Sequence, residues 1–249
     1  MSEPLYISEI FSSIQGEGML AGRRQIFVRL PGCNLNCSYC DTNYEKCDIC
    51  RIETKPGSGV FTDLPQPLPL QKITAVISDW QSLLQGAHHS ISFTGGEPLL
   101  KADSLAEWFP EIRKIIPVHL ETNGTMIISL MGLIEHVDFI SMDMKLPSTS
   151  GCTEHLWELH HHFLEEAHRS DVSVKIVVGE STDDCEIDRV CEIISRVAPS
   201  IPLFIQPITK LDGSIGISAA HILHIQEFAS SRLPDVRVIP QMHKLLGVL

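Results

Sequence analysis

Short β-rich runs and helical stretches alternate along almost the whole chain, and this rhythm limits the folds open to it more than any other feature. The β-rich runs fall at 26–30, 90–93, 118–121, 139–142, 174–178, 203–206 and 236–239. Between the first two, Leu70, Ile73, Val76, Ile77, Trp80, Leu83 and Leu84 share one face at the 3.6-residue helical spacing. The stretches 104–116, 154–169, 185–197 and 218–231 read the same way, with less periodicity over 126–135. Strands joined by single helices pair in parallel, which makes this an α/β chain. Period alone does not separate a doubly wound sheet from a partial barrel.

The residues that follow the strands favour a barrel. The first run leads into Cys33, Cys37 and Cys40, and the second into Thr94-Gly95-Gly96-Glu97-Pro98. Later runs end in Glu121-Thr122-Asn123-Gly124, Asp143-Met144-Lys145, Gln206-Pro207 and Gln241-Met242-His243-Lys244. The C-terminal ends of parallel strands converge on one mouth of a barrel, whereas an open sheet would spread these clusters along an edge. The expectation is a partial (β/α) barrel of parallel strands forming one domain over 1–249. Residues 43–70 break the rhythm. They hold Pro56, Pro65, Pro67, Pro69, Gly57 and Gly59 beside Cys47 and Cys50, and are predicted to be an irregular insertion next to the site.

The chain has 249 residues, is 43% hydrophobic and carries a formal charge of −12, enough apolar material for one sizeable core. So acidic a balance argues against broad contact with nucleic acid, which depends on many Lys and Arg side chains. No uncharged apolar stretch reaches the ~18 residues of a membrane span, and Met1-Ser2-Glu3-Pro4 is unlike a signal peptide. Eight cysteines in such a chain fit a reducing, cytoplasmic setting with metal ligation or thiols.

The run Cys33-Asn34-Leu35-Asn36-Cys37-Ser38-Tyr39-Cys40 spaces its thiols C-x3-C-x2-C after a Pro31-Gly32 turn. Three thiolates on one loop can hold three irons of a 4Fe–4S cluster and leave the fourth iron open to a small molecule. The competing reading is structural zinc, because Cys37-x2-Cys40 and Cys47-x2-Cys50 form two knuckles six residues apart. It would leave Cys33 over and give the downstream glycine clusters no task. Gly95-Gly96 allows close backbone approach. Its plainer reading is a strand-to-helix turn with Pro98 near the first helical position. Cys152, Cys185 and Cys191 read as buried or surface thiols, Cys47 and Cys50 as idle or weakly structural, and His160-His161-His162 as part of a solvated helix.

The cysteine loop followed by Gly-Gly-Glu-Pro after the next strand resembles the radical S-adenosylmethionine superfamily. Phe11-Ser12-Ser13-Ile14-Gln15-Gly16-Glu17-Gly18, Phe27-Val28-Arg29-Leu30, Cys40-Asp41-Thr42 and the ending His243-Lys244-Leu245-Leu246-Gly247-Val248-Leu249 resemble, more narrowly, the 7-carboxy-7-deazaguanine synthase family. The matches run from residue 11 to the last. The resemblance implies a 4Fe–4S cluster, S-adenosylmethionine and Mg²⁺. It implies cleavage of S-adenosylmethionine to a 5′-deoxyadenosyl radical, which takes a hydrogen atom from 6-carboxy-5,6,7,8-tetrahydropterin. The ring then contracts and ammonia leaves, giving 7-carboxy-7-deazaguanine for 7-deazapurine and queuosine biosynthesis. It further implies an electron donor such as flavodoxin or ferredoxin, a homodimer, and no direct contact with nucleic acid or membrane.

Carried over position by position, Cys33, Cys37 and Cys40 ligate the cluster, and Tyr39, Cys40 and Asp41 lie where the family's loop touches S-adenosylmethionine. Gly96 reaches its methionine end through the backbone, and Gln206 also faces it. Asp143-Met144-Lys145 stands where the family commonly has Ser-Pro-Lys, so only Lys145 matches. Ile14, Gln15, Gly16 and Glu17 contact the pterin, whose guanine-like edge offers paired donors and acceptors. Arg29 grips the substrate carboxylate, Thr94 adds a substrate contact, Leu249 closes over the site, and Thr42 touches Mg²⁺. Two other classes share parts of the pattern: an activating enzyme for glycyl-radical proteins and a zinc-stabilised binding module.

Overall fold

The computed structural model describes residues 4–40, 48–152, 156–210 and 212–249. Its strands are β1 Glu9–Ile14, β2 Arg24–Leu30, β3 Ile49–Glu53, β4 Phe61–Pro65, β5 Ser90–Gly95, β6 Val118–Thr122, β7 Phe139–Asp143, β8 Asp171–Val178, β9 Leu203–Pro207 and β10 Val236–Val238. Its helices are α1 Leu70–Leu83, α2 Ala102–Arg113, α3 Ile127–Met131, α4 Pro147–Ser150, α5 Leu156–Ala167, α6 Asp184–Val197, α7 Ala219–Ser230 and α8 Met242–Leu246. All seven strands expected from the sequence form, and α1, α2, α5, α6 and α7 fill the expected connections.

One sheet holds every strand, in the order β10-β9-β8-β7-β6-β5-β2-β1-β3-β4. From β2 through β5 to β10 each neighbouring pair is parallel. β1 runs antiparallel to β2 and pairs with β3 in parallel. The two outer strands do not meet, so the sheet is an open, partial barrel rather than a closed one.

The parallel strands alternate in a way that fixes where the site lies. Ile26, Val28, Leu30, Ile91, Phe93, Val118, Leu120, Ile140, Met142, Val174 and Ile176 belong to one continuous apolar core. They pack with helix residues such as Ile73, Trp108, Phe109, Phe163 and Ile194. Phe93 and Phe109 meet at 4.8 Å between ring centroids, and truncating such a buried ring costs roughly 3–5 kcal/mol. Most intervening positions are polar: Gln25 and Arg29, Ser90, Ser92 and Thr94, His119 and Glu121, Ser141 and Asp143, Ser173 and Lys175, with Phe27, Phe139 and Val177 as apolar exceptions. Parallel strands covered by helices on both faces read as near-continuous apolar runs. Here the second face is polar because it encloses a cavity.

Residues 43–70 are not irregular where the structure describes them. β3 and β4 form an antiparallel hairpin that extends the sheet beyond β1. Gly57 and Gly59 make its turn at φ +81° and +65°. The buried Glu53 carboxylate accepts the N–H groups of Gly57 at 2.8 Å, Gly59 at 2.6 Å and Ser12 at 3.0 Å. Pro65 ends the edge strand, where a missing N–H is tolerated. The glycines and prolines thus punctuate a hairpin. His160 also departs from expectation, being fully buried while His161 and His162 point outward.

Candidate active site

A cavity of about 780 Å³ opens on the polar face, lined from Glu9 of β1 across the sheet to Gln206 of β9. Its size suits a small molecule or two rather than a protein segment. The cysteine loop leaves β2 through Gly32 at φ +89° and carries Cys33, Cys37 and Cys40 along one wall.

The Gly95-Gly96 pair serves this loop directly. Gly96 N–H donates to the Leu30 carbonyl at 3.1 Å and Glu97 N–H to the Gly32 carbonyl at 2.7 Å. A Cβ on Gly96 would sit 1.8 Å from the Gly32 carbonyl oxygen, so only glycine allows the two segments to meet. The close approach read from the sequence is therefore made first to the loop's own backbone. Glu97, fully buried, accepts from Leu99 N–H at 3.0 Å, Thr122 Oγ1 at 2.9 Å and Asn123 N–H at 2.7 Å. Burial outweighs those donors and pushes its carboxyl up to about 6. Asn123 Nδ2 in turn donates to Asn34 Oδ1 at 2.8 Å. On the far side, Ser38 N–H and Oγ donate to the carbonyls of Ser150 and Thr149 at 3.0 and 2.5 Å. Both flanks of the cysteine loop are thereby fixed.

The three thiols fit an iron–sulfur cluster better than a single ion. All three line the same cavity and none is in a disulfide. Among the described residues, no three His, Cys, Asp or Glu side chains stand close enough to hold one metal ion. A cubane asks for sulfurs that are spread apart, each on its own iron. Burial pushes the Cys37 thiol up to about 12 against the pull of Lys145, a penalty that bound cationic iron would relieve. The zinc alternative loses a ligand, because Cys50 on β3 is fully buried in the apolar core. Cys47 lies outside the described residues.

An alternating chain of charges crosses the cavity floor. Lys145 Nζ donates to Tyr39 Oη at 3.0 Å and pairs with Asp143 at 2.9 Å. Lys175 Nζ pairs with Asp143 at 2.9 Å and with Glu17 at 2.5 Å, and Gln241 Nε2 donates to Glu17 Oε1 at 2.9 Å. Register explains the middle link, since Asp143 and Lys175 are direct partners on β7 and β8. Burial would push both carboxyls up, but the two lysines outweigh it at Asp143, and Lys175 with Gln241 outweighs it at Glu17. Both carboxyls are held below their ordinary values. Burial likewise pulls the lysines down, and the facing carboxylates more than reverse it. Asp143 Oδ1 is buried and has no hydrogen-bond partner among the described residues.

Next to this chain, Gln15 Nε2 donates to Gln25 Oε1 and to Glu121 Oε1, both at 2.9 Å. Glu121 also accepts from Ser92 Oγ at 2.5 Å and Thr94 Oγ1 at 3.3 Å. Gly16 lies beneath His243, where a Cβ would fall 2.1 Å from the imidazole Nδ1, and its carbonyl accepts from Met242 N–H at 3.0 Å. At one rim Arg29 and Arg51 share Glu9, at 3.4 and 2.8 Å. Two guanidiniums on one carboxylate leave one net positive charge facing the cavity. Arg29 is not on a sheet edge, because β2 is paired on both sides.

The cavity gathers Ile14, Gln15, Gly16, Glu17, Arg29, Cys33, Cys37, Tyr39, Cys40, Thr94, Gly96, Asp143, Lys145, Gln206 and Leu249. Met144, just past β7, stands apart: its side chain is fully buried in the apolar core and does not line the cavity. Asp41 and Thr42 lie outside the described residues. Lys175, Glu9 and Gln25 were not anticipated. Glu121, Gln241 and His243 belong to the residue clusters that follow the strands, and the sequence alone assigns them no role. Each except His243 and Gln241 occupies an inward position in a strand's alternation.

The sequence profile of the radical SAM superfamily matches residues 27–194. A 7-carboxy-7-deazaguanine synthase of Geobacter sulfurreducens is 49% identical over 251 residues, covering 100% of both chains. One of Methanothermobacter thermautotrophicus is 33% identical over 260 residues, covering 97% of both. The solved structure of QueE from Escherichia coli superposes with a TM-score of 0.59 at 22% identity, covering 94% of this chain and 92% of its own. The chain belongs to the radical SAM superfamily and, within it, to the family of 7-carboxy-7-deazaguanine synthases.

Proposed function

We propose that this chain converts 6-carboxy-5,6,7,8-tetrahydropterin to 7-carboxy-7-deazaguanine with loss of ammonia, in 7-deazapurine biosynthesis. The observation that carries the reading is one cavity that joins a three-cysteine loop to an arginine-bearing rim and to the carboxylates of Glu17 and Glu121. A 4Fe–4S cluster on Cys33, Cys37 and Cys40, with S-adenosylmethionine, supplies one-electron and hydrogen-atom chemistry.

The protein's own residues bind and orient. Arg29, backed by Arg51 and only half neutralised by Glu9, receives the substrate carboxylate. Glu17 and Glu121 accept from the N–H groups of the pterin's guanine-like edge, while Ile14, Gln15, Gly16 and Thr94 shape that pocket. Tyr39, Cys40, Gly96, Asp143, Lys145 and Gln206 form the adjoining S-adenosylmethionine pocket, with Asp143 Oδ1 supplying a buried acceptor. The resemblance supports Asp41 as a further S-adenosylmethionine contact and Thr42 as the Mg²⁺ contact, both outside the described residues, and Leu249 contributes to the substrate-side wall. The resemblance supports a flavodoxin or ferredoxin as electron donor, a homodimer, and a cytoplasmic setting without direct contact with nucleic acid or membrane.

The test is an anaerobic incubation of cluster-loaded protein with reductant, S-adenosylmethionine, Mg²⁺ and the tetrahydropterin. Formation of 7-carboxy-7-deazaguanine is expected. Cleavage of S-adenosylmethionine with no product from this pterin would overturn the substrate assignment.

A further inference from the structure

Lys175 touches both halves of the cavity. Its Nζ lies 2.5 Å from Glu17, on the pterin side, and 2.9 Å from Asp143, on the S-adenosylmethionine side. We propose that Lys175 is a positioning residue that holds Glu17 and Asp143 as ionised acceptors for two different ligands. This rests on the function proposed above and adds the residue that couples its two pockets.

Three observations support it. Lys175 lies mid-strand on β8 between paired neighbours, so its ammonium enters the cavity from a rigid element. The four charges Lys145, Asp143, Lys175 and Glu17 alternate in sign and sum to zero, so removing Lys175 leaves two buried carboxylates against one lysine. The row of contacts also ends on two separate segments outside the sheet. Tyr39 lies on the cysteine loop, and Gln241 precedes α8, whose first residue Met242 bonds Gly16.

Among the described residues, the groups acting on Glu17 are Lys175 from β8, Asp143 from β7 and the uncharged Gln241 before α8; His243 packs on the neighbouring Gly16 and Lys244 of α8 lines the same cavity. The Lys175 ammonium, in direct contact with Glu17, does most to keep it ionised. Without it, burial and Asp143 both favour the protonated acid, which donates a hydrogen bond where the pterin needs an acceptor.

The experiment compares wild type with Lys175→Met, Lys175→Arg, Glu17→Gln and the double variant Glu17→Gln/Lys175→Met, all cluster-loaded. Lys175→Met is expected to raise the pterin KM at least about tenfold near neutral pH. Its KM relative to wild type should fall as pH rises from 6 to 9, and calorimetry should show weaker S-adenosylmethionine binding. Lys175→Arg keeps the charge and should restore both affinities to within a few-fold. Adding Lys175→Met to Glu17→Gln should raise KM far less than it does in wild type. The proposal is overturned by additive effects in the double variant, by a KM ratio that does not change with pH, or by an Arg variant as impaired as the Met variant. Should Lys175→Met fail to load its cluster, the Arg variant decides on its own. Wild type that does not turn over the pterin contradicts the proposed function instead, while calorimetry still reports on Lys175 and Asp143.

Discussion

Ser13 Oγ donates to the backbone carbonyl of Leu249 at 2.6 Å, tying residue 249 to the first strand across 236 positions of sequence. With Met242 N–H on the Gly16 carbonyl, this bond seats the C-terminal segment over the Gln15–Glu17 turn. A single hydrogen bond of this kind contributes a net ~1 kcal/mol. Ser13→Ala should therefore raise the pterin KM about fivefold and leave iron content unchanged. Steady-state kinetics beside an iron assay checks this, and an unaltered KM would detach the segment from substrate binding.

Arg29→Lys keeps the charge at the rim and loses the planar fork. The expected loss is about 1–3 kcal/mol of substrate binding, read as a KM raised roughly five- to 150-fold at constant cluster content. Equal kinetics for the two proteins would show that Arg29 does not clamp a carboxylate.

Gly96→Ala places a methyl group on the Gly32 carbonyl, 1.8 Å away. The loop must shift, at a cost of about 1–3 kcal/mol, and its cysteines shift with it. Iron incorporation should drop well below wild type, with a lower Tm. Normal iron loading would mean that the glycine contact does not set the loop.

His119 and His160 are fully buried, and burial pushes both down to about 4. His160 Nε2 bonds the Asn123 carbonyl at 3.2 Å, which suits a neutral ring. With folded values below the ordinary ~6.5, the unfolded chain binds more protons between pH 6.5 and 4. Stability is therefore complete above about 6.5 and is lost as pH falls toward 4, by up to ~3 kcal/mol for each ring. Glu97, raised to about 6, slopes the other way between its ordinary value and 6. His160→Gln should flatten the acid-side decline in denaturant midpoints. An equally steep decline in that variant would remove His160 from the explanation.

The repeated strands and helices were legible in the sequence because their outer faces are apolar and bury against helices. β1 was not, since its Ser12 and Ser13 are buried polar residues that erase the alternation. β3 and β4 were hidden by turn glycines and an edge proline that also mark loops. In the site, the cysteine spacing is a local pattern and is read directly, whereas the Gln15–Glu17 turn is legible only through its resemblance to the family. Lys175 could not be read that way. An inward lysine on a strand becomes a site residue only because the sheet curls, and because β7 places Asp143 beside it.

Electron paramagnetic resonance of the anaerobically reduced protein, before and after adding S-adenosylmethionine, tests the central claim most directly. The expected result is a 4Fe–4S signal that changes on addition in wild type and is absent from Cys37→Ala. A signal indifferent to S-adenosylmethionine, or one at full strength in the Cys37 variant, would contradict a cluster held by Cys33, Cys37 and Cys40 with one iron open to ligand.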